Sequence, residues 1–175
     1  MNPFLDVSED EFYIDPVLWA LEKGITTGTT PTTFSPYRTV TRAEAVTFLW
    51  RGVGCPEPTG MVNPFADVKE GDFFYKAVLW AYENGITTGV DTDRFAPMVE
   101  CNRAQIVTFL WRAVGTPESH TEVTFTDVQP GGFYYDAVAW ALENGITTGM
   151  GGGVFGILMP CNRAQVVTFL YRTLA

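Results

Sequence analysis

Apolar positions recur along the chain in two helical registers, and each register is written three times. In the first, Val17, Trp19, Ala20 and Leu21 give apolar character around much of a helical circumference, the pattern of a buried helix. It predicts helices over roughly 13–23, 74–84 and 134–144. Pro16 is tolerable only near a helix start, so the first should begin close to Asp15. In the second register, Val46, Leu49, Trp50 and Val53 fall at i, i+3, i+4 and i+7, one apolar stripe. Polar positions punctuate both. Gly24-Ile25, Gly85-Ile86 and Gly145-Ile146 stop the first helix, with glycine in the left-handed conformation after the last turn. Thr41 with Glu44, Asn102 with Gln105 and Asn162 with Gln165 start the second as capping boxes. Val40, Cys101 and Cys161 precede these caps and should staple onto Ala45, Ile106 and Val166.

The period follows from the arginines behind the caps: Arg42 to Arg103 is 61 residues and Arg103 to Arg163 is 60. That is the length of a supersecondary unit. Linkers rich in Gly and Pro divide the chain into units 1–58, 59–119 and 120–175. Each unit opens on a segment expected to be extended, Phe4-Leu5-Asp6-Val7, Phe65-Ala66-Asp67-Val68 or Phe125-Thr126-Asp127-Val128. A helix, a Thr-Thr-Gly loop and the capped second helix follow. One unit has too little core to stand alone. The predicted fold is mainly α: three helix-loop-helix repeats closed into a pseudo-threefold helical bundle, with the most apolar helices innermost. An open solenoid would need capping ends that the sequence does not show. The third loop departs from the others, with Met150-Gly151-Gly152-Gly153 and with Ile157 where Pro36 and Pro97 stand, and is expected to be the most mobile.

Charge narrows the function. A formal charge of -9 and a pI near 4.5 exclude a nucleic-acid partner, which needs a dense basic face. No run of eighteen apolar residues argues for membrane insertion, and the chain lacks a secretory signal peptide's basic-then-apolar start. Because Asn2-Pro3-Phe4 already matches Asn63-Pro64-Phe65, flanking sequence is expected. Cys55, Cys101 and Cys161 show no metal spacing, and the single His120 lies in a linker. Cys101 and Cys161 read as small apolar staple residues, a bridge between them being the lesser reading. Asp91-Thr92-Asp93 lacks the remaining oxygen ligands of a calcium loop. Glu22, Glu83 and Glu143 recur, as solvated faces or pairs between units. No acid–base pair, nucleophile elbow or phosphate loop recurs, so the reading is a non-enzymatic binding module without a cofactor; a glycan-active enzyme ranks last.

The candidate binding residues are those placed once per repeat. Arg42, Arg103 and Arg163 occupy the first helical position, beside N–H groups without intrahelical partners and where the helix dipole favours an anion. A guanidinium fork also matches a carboxylate. A cation there works against the helix dipole by about 0.3–1 kcal/mol, so something must compensate. Two explanations compete: contact with an anionic ligand, or pairing with an acid such as Asp6, Asp67 or Asp127 that locks neighbouring units. Thr27, Gly28, Thr88, Gly89, Thr148 and Gly149 are the further groove candidates, offering hydroxyls and close backbone approach, although turn geometry alone explains the glycines. Trp19, Trp80 and Trp140 read as core rather than sugar platforms, as do Trp50, Trp111 and Tyr171.

Together, Phe-x-Asp-Val, Ala77-Val78-Leu79-Trp80-Ala81, Gly85-Ile86-Thr87-Thr88-Gly89, Phe34-Ser35-Pro36 and Thr41-Arg42-Ala43-Glu44 resemble the S-layer homology domain over nearly the whole chain, in three tandem copies. The resemblance implies a monomeric, pseudo-trimeric helical domain at the bacterial cell surface. It implies non-covalent anchoring to the cell wall through anionic secondary wall polysaccharides that often carry pyruvate ketals. Asn102-Arg103-Ala104-Gln105 and Asn162-Arg163-Ala164-Gln165 keep the hallmark arginine but lose its acid, so three equal sites are not expected. The alternative is a protein-interaction or self-assembly module that meets other surface-layer proteins in a lattice.

Overall fold

Each capping box forms, and it fixes where the second helix of each unit begins. The computed structural model describes residues 1–60 and 62–175. Its helices are α1 (Ile14–Glu22), α2 (Arg42–Gly52), α3 (Tyr75–Glu83), α4 (Arg103–Ala113), α5 (Tyr135–Glu143) and α6 (Arg163–Leu174). Thr41, Asn102 and Asn162 accept the N–H of Glu44, Gln105 and Gln165, whose side chains return to the cap N–H. The odd-numbered helices start without a side-chain cap. α1 opens at Ile14, which places Pro16 in the first turn, where its missing N–H has no intrahelical partner to lose.

The chain closes on itself through exchanged neighbours. α3 packs on α2 of the preceding unit, α5 on α4, and α1 on α6, while α2, α4 and α6 meet one another at the centre. The expectation that the most apolar helices lie innermost is therefore overturned. The inner helices are the ones bearing Arg and Thr, and they can be central because those polar atoms are spent. Thr47, Thr108 and Thr168 donate back to Ala43, Ala104 and Ala164 at 2.7, 2.7 and 2.6 Å. The axis itself is a ring of backbone hydrogen bonds through the staple positions. The Val40 N–H donates to Cys161 O (2.9 Å), Cys101 N–H to Val40 O (2.8 Å) and Cys161 N–H to Cys101 O (2.9 Å).

Cys101 and Cys161 are free, fully buried thiols on this ring. Burial pushes Cys161 up to about 12 and raises Cys101 as well. Cys55 is exposed. Alkylation of the native protein with iodoacetamide at pH 8 should modify one thiol per chain, and denaturant should release the other two. Fast native reaction at three thiols would sink this account of the axis.

The segments at the head of each unit are turns rather than extended strands. Asn2 Oδ1 accepts the Phe4 N–H (3.0 Å) and its amide donates to Val7 O (2.7 Å); Asn63 does the same for Phe65 (2.9 Å) and Val68 (2.7 Å). The turn aims the following aspartate back at its own loop. Asp6 accepts from Phe34 and Ser35, Asp67 from Phe95 and Ala96, and Asp127 from Phe155, Gly156 and Ile157, all at 2.7–3.1 Å. For Asp127, burial works to raise the carboxyl, but the three N–H bonds prevail and hold it below the usual carboxylate range. Ser35 and Ala96, at φ 60° and 58°, are held in the left-handed region by these bonds.

Candidate functional site

The three hallmark arginines are buried, each 4% exposed, and each crosses into another unit. Arg42 Nε donates to Phe95 O at 2.9 Å, Arg103 Nε to Phe155 O at 2.8 Å, and Arg163 Nε to Phe34 O at 2.7 Å. Each guanidinium lies over the ring of that phenylalanine, 4.7–4.8 Å from its centroid. A second ring, Phe109, Phe169 or Phe48, approaches to 5.3–5.6 Å. Desolvation lowers all three guanidinium pKa values, bringing Arg163 down to about 10, with Arg38 adding repulsion there.

Two parts of the sequence-based reading of these arginines need correction: the open helix N-terminus beside them and their pairing with an acid. The N–H groups behind them are not open to an anion. Arg42 N–H donates to Val99 O (2.8 Å), Ala43 N–H to Pro97 O (3.0 Å), and Glu44 N–H to the cap hydroxyl (3.1 Å). Arg103 and Arg163 donate likewise, to Met159 O (3.0 Å) and Arg38 O (2.9 Å). Nor do the arginines pair with Asp6, Asp67 or Asp127. The ion pairs among the described residues are Arg38–Glu44, Lys76–Glu57 and Arg94–Asp91. Arginine and aspartate instead grip opposite sides of one loop residue: Asp67 holds the Phe95 N–H at 2.9 Å while Arg42 holds its carbonyl.

What remains of each guanidinium lines a groove assembled from all three units. The first groove, about 340 Å³, takes Thr26, Thr27, Gly28, Glu44 and Arg51 from its own unit, Arg163 from the third and Phe73 from the second. The second, about 360 Å³, combines Thr87, Thr88, Gly89, Gln105 and Arg112 with Arg42 and Phe133. The third, about 260 Å³, combines Thr147, Thr148, Gly149, Gln165 and Arg172 with Arg103 and Phe12. All nine sequence-predicted residues thus line grooves, one Thr-Gly pair and one arginine in each, the arginine coming from another unit.

Three sets of lining residues escaped sequence reasoning. Thr26, Thr87 and Thr147 are buried, and their hydroxyls accept the N–H of Gly28, Gly89 and Gly149 at 3.0–3.1 Å. Thr26 and Thr147 also accept from Arg163 and Arg103 at 3.3 and 3.4 Å. Arg51 and Arg112, half-buried, and Arg172, exposed, donate to the carbonyls of Ile25, Ile86 and Ile146 at 3.0–3.2 Å along the grooves. Phe12, Phe73 and Phe133 stand 65%, 62% and 59% exposed, each edge-on to the buried or half-buried aromatic beside it. The signal for them was an aromatic doublet just before each first helix, of which only one ring can turn inward.

The electrostatics differ sharply from the rest of the chain. Three arginines line the first groove and two line each of the others, seven of the eleven Lys and Arg in a protein of charge -9. No carboxylate lines the second or third. In the first, Glu44 is taken up by Arg38 and Thr41. Guanidinium forks, hydroxyls and an exposed ring at each rim suit a sugar with a carboxylate substituent.

Comparison with known proteins places these repeats. The family model of the S-layer homology domain matches residues 3–46, 64–107 and 124–167. The chain is 38% identical over 111 residues, 63% of its length, to a protein named endoglucanase from Bacillus sp. (strain KSM-635), and covers 12% of that protein. It is 31% identical over 118 residues, 65% of its length, to a cell surface protein of Thermoanaerobacter kivui, covering 16% of it. It is 25% identical over 173 residues, 97% of its length, to an S-layer protein of Bacillus thuringiensis subsp. finitimus, covering 21% of it. The chain thus spans a small part of the length of these relatives.

Proposed function

The chain belongs to the S-layer homology domain family, and from that premise we propose that it is a non-catalytic anchoring module at the bacterial cell surface. Units 1–58, 59–119 and 120–175 act as one domain, and its grooves bind an anionic cell-wall polysaccharide whose carboxylates, pyruvate ketals foremost, meet the arginines. The observation that carries this reading is the concentration of guanidinium groups in grooves otherwise lined by hydroxyls and an exposed phenylalanine, with no carboxylate in two of the three. The relatives named for the cell surface and the S-layer support the location. Repeated grooves on one rigid body suit a repeating polymer, because weak sites engaged together gain through effective concentration.

Calorimetric titration with wall polysaccharide, native and after mild-acid removal of pyruvate, tests the proposal. Binding to the native polymer alone is expected. The companion variant replaces Phe12, Phe73 and Phe133 by alanine, because these rings are more than half exposed and their loss leaves the core filled. The triple variant should keep its unfolding midpoint and lose polymer affinity by tenfold or more. Equal binding of both polymer forms would remove the carboxylate from the reading, and binding of neither would point to protein partners.

A further inference from the structure

The three grooves repeat one loop and one buried arginine, but they differ at the residue that closes the capping box and at the residue four places before the hallmark arginine. In the second and third grooves, Gln105 and Gln165 accept the cap N–H through Oε1 at 3.0 Å. Their Nε2 amides have no partner among the described residues, so each of these grooves holds a neutral N–H donor at that place.

Glu44 closes the box of the first groove with Oε1, and its second oxygen, left alone, would repel an anion there. Arg38 removes that obstacle. Its Nη2 pairs with Glu44 Oε2, while its Nε and Nη1 carry no hydrogen bond among the described residues and its side chain is 52% exposed along the groove. The corresponding residues of the other units, Val99 and Met159, line neither of the other grooves. Arginine thus stands where the box holds glutamate, and an apolar residue where it holds glutamine. Arg38 also converges on Arg163: its repulsion helps lower that guanidinium, and Glu44 opposes the effect. A carboxylate shared by the two guanidiniums would relieve this repulsion.

We propose that the first groove is the most carboxylate-selective of the three and that Arg38, held by Glu44, sets this selectivity by sharing the ligand's carboxylate with Arg163. The inference rests on the polysaccharide reading above and assigns unequal roles within it. The ion pair orders Arg38 before the ligand arrives, which reduces the ordering cost of binding. The other two grooves offer a neutral amide at that place, and they discriminate less between a carboxylate and its ester.

An NMR titration of the ¹⁵N-labelled chain tests this assignment, with the Gly28, Gly89 and Gly149 amides each reporting one groove. The probes are a methyl hexoside carrying a 4,6-linked pyruvate ketal and the methyl ester of the same ketal. With the acid, Gly28 should reach its midpoint at about fivefold lower concentration than Gly89 or Gly149, the advantage of a charged over a neutral donor. With the ester, the three midpoints should fall within about twofold of one another. Arg38→Val leaves Glu44 unpaired, so Gly28 should then respond to the acid more weakly than Gly89. Adding Glu44→Gln should bring Gly28 back to the Gly89 midpoint, and this double variant should fold, because valine and glutamine already occupy both places in the second unit, where the capping box forms. Equal midpoints for the acid in the unaltered chain, or a Gly28 advantage that survives Arg38→Val, would overturn the assignment and leave polysaccharide binding intact. Absence of saturable shifts at all three glycines would overturn both.

Discussion

Arg103→Ala should destabilise the domain by about 3–5 kcal/mol, read as a lowered urea midpoint, before it says anything about a ligand. The side chain is 4% exposed and donates to Phe155 O at 2.8 Å. Its removal leaves that carbonyl unsatisfied, at about 1–3 kcal/mol, and forfeits a charge-assisted bond. It also removes two cation–π contacts, at 4.8 and 5.3 Å, worth about 0.5–2 kcal/mol each, and opens a cavity between units. Against a typical stability of about 5–15 kcal/mol, one such change is large and all three together would unfold the chain. Arg103→Lys should recover part of the loss, since an ammonium keeps the charge without the planar fork that spans the carbonyl and the ring. A loss below about 1 kcal/mol for Arg103→Ala would show that this arginine does not pin the units together. Arginine-to-alanine variants are consequently poor probes of binding here, and the exposed phenylalanines are better ones.

The parts of this fold legible in the sequence are those set by rules acting over a few residues. Thr41 with Glu44 announced a helix start because both reciprocal bonds lie within one turn. The arginine spacing announced three units. The order of helices about the axis was not legible, because Thr47 and Arg42 lower the apparent hydrophobicity of α2 and nothing local says that their donors are satisfied. Thr47 is satisfied four residues back, but Arg42 by a carbonyl 53 residues away. The same distance hid how the units share each groove. Thr88 and Gly89 were legible as loop residues, whereas the arginine that joins them in the groove is Arg42 of another unit and the ring is Phe133 of the third. A site shared by three units cannot be read from one of them.

Gly89→Ala and Gly85→Ala separate a backbone requirement from a close approach, and the first should cost about 3 kcal/mol or more against about 1–2 kcal/mol for the second. Both glycines take positive φ, 83° and 69°. A Cβ at Gly85 would meet nothing within 4 Å, so alanine there carries only the left-handed backbone penalty. At Gly89 it would lie 2.6 Å from Arg94 O, 2.6 Å from Phe65 Cε1 and 3.0 Å from Asp91 O. Phe65 is core, in contact with Phe95 at 5.7 Å, and Phe95 is the residue gripped by Asp67 and Arg42. Relief by moving the ring would therefore disturb the pin between units, and relief by moving the loop would break the Gly89 N–H bond to Thr87. Paired urea unfolding curves measure the difference, and equal costs would mean that the loop gives way freely. Gly28 and Gly149 meet Phe4 and Phe125 at 2.5 and 2.6 Å, so the requirement repeats in every unit. The glycine of each Thr-Gly pair is thus accounted for by packing, which leaves the exposed hydroxyls of Thr27, Thr88 and Thr148 as the members of those pairs with hydrogen-bonding capacity to offer a ligand.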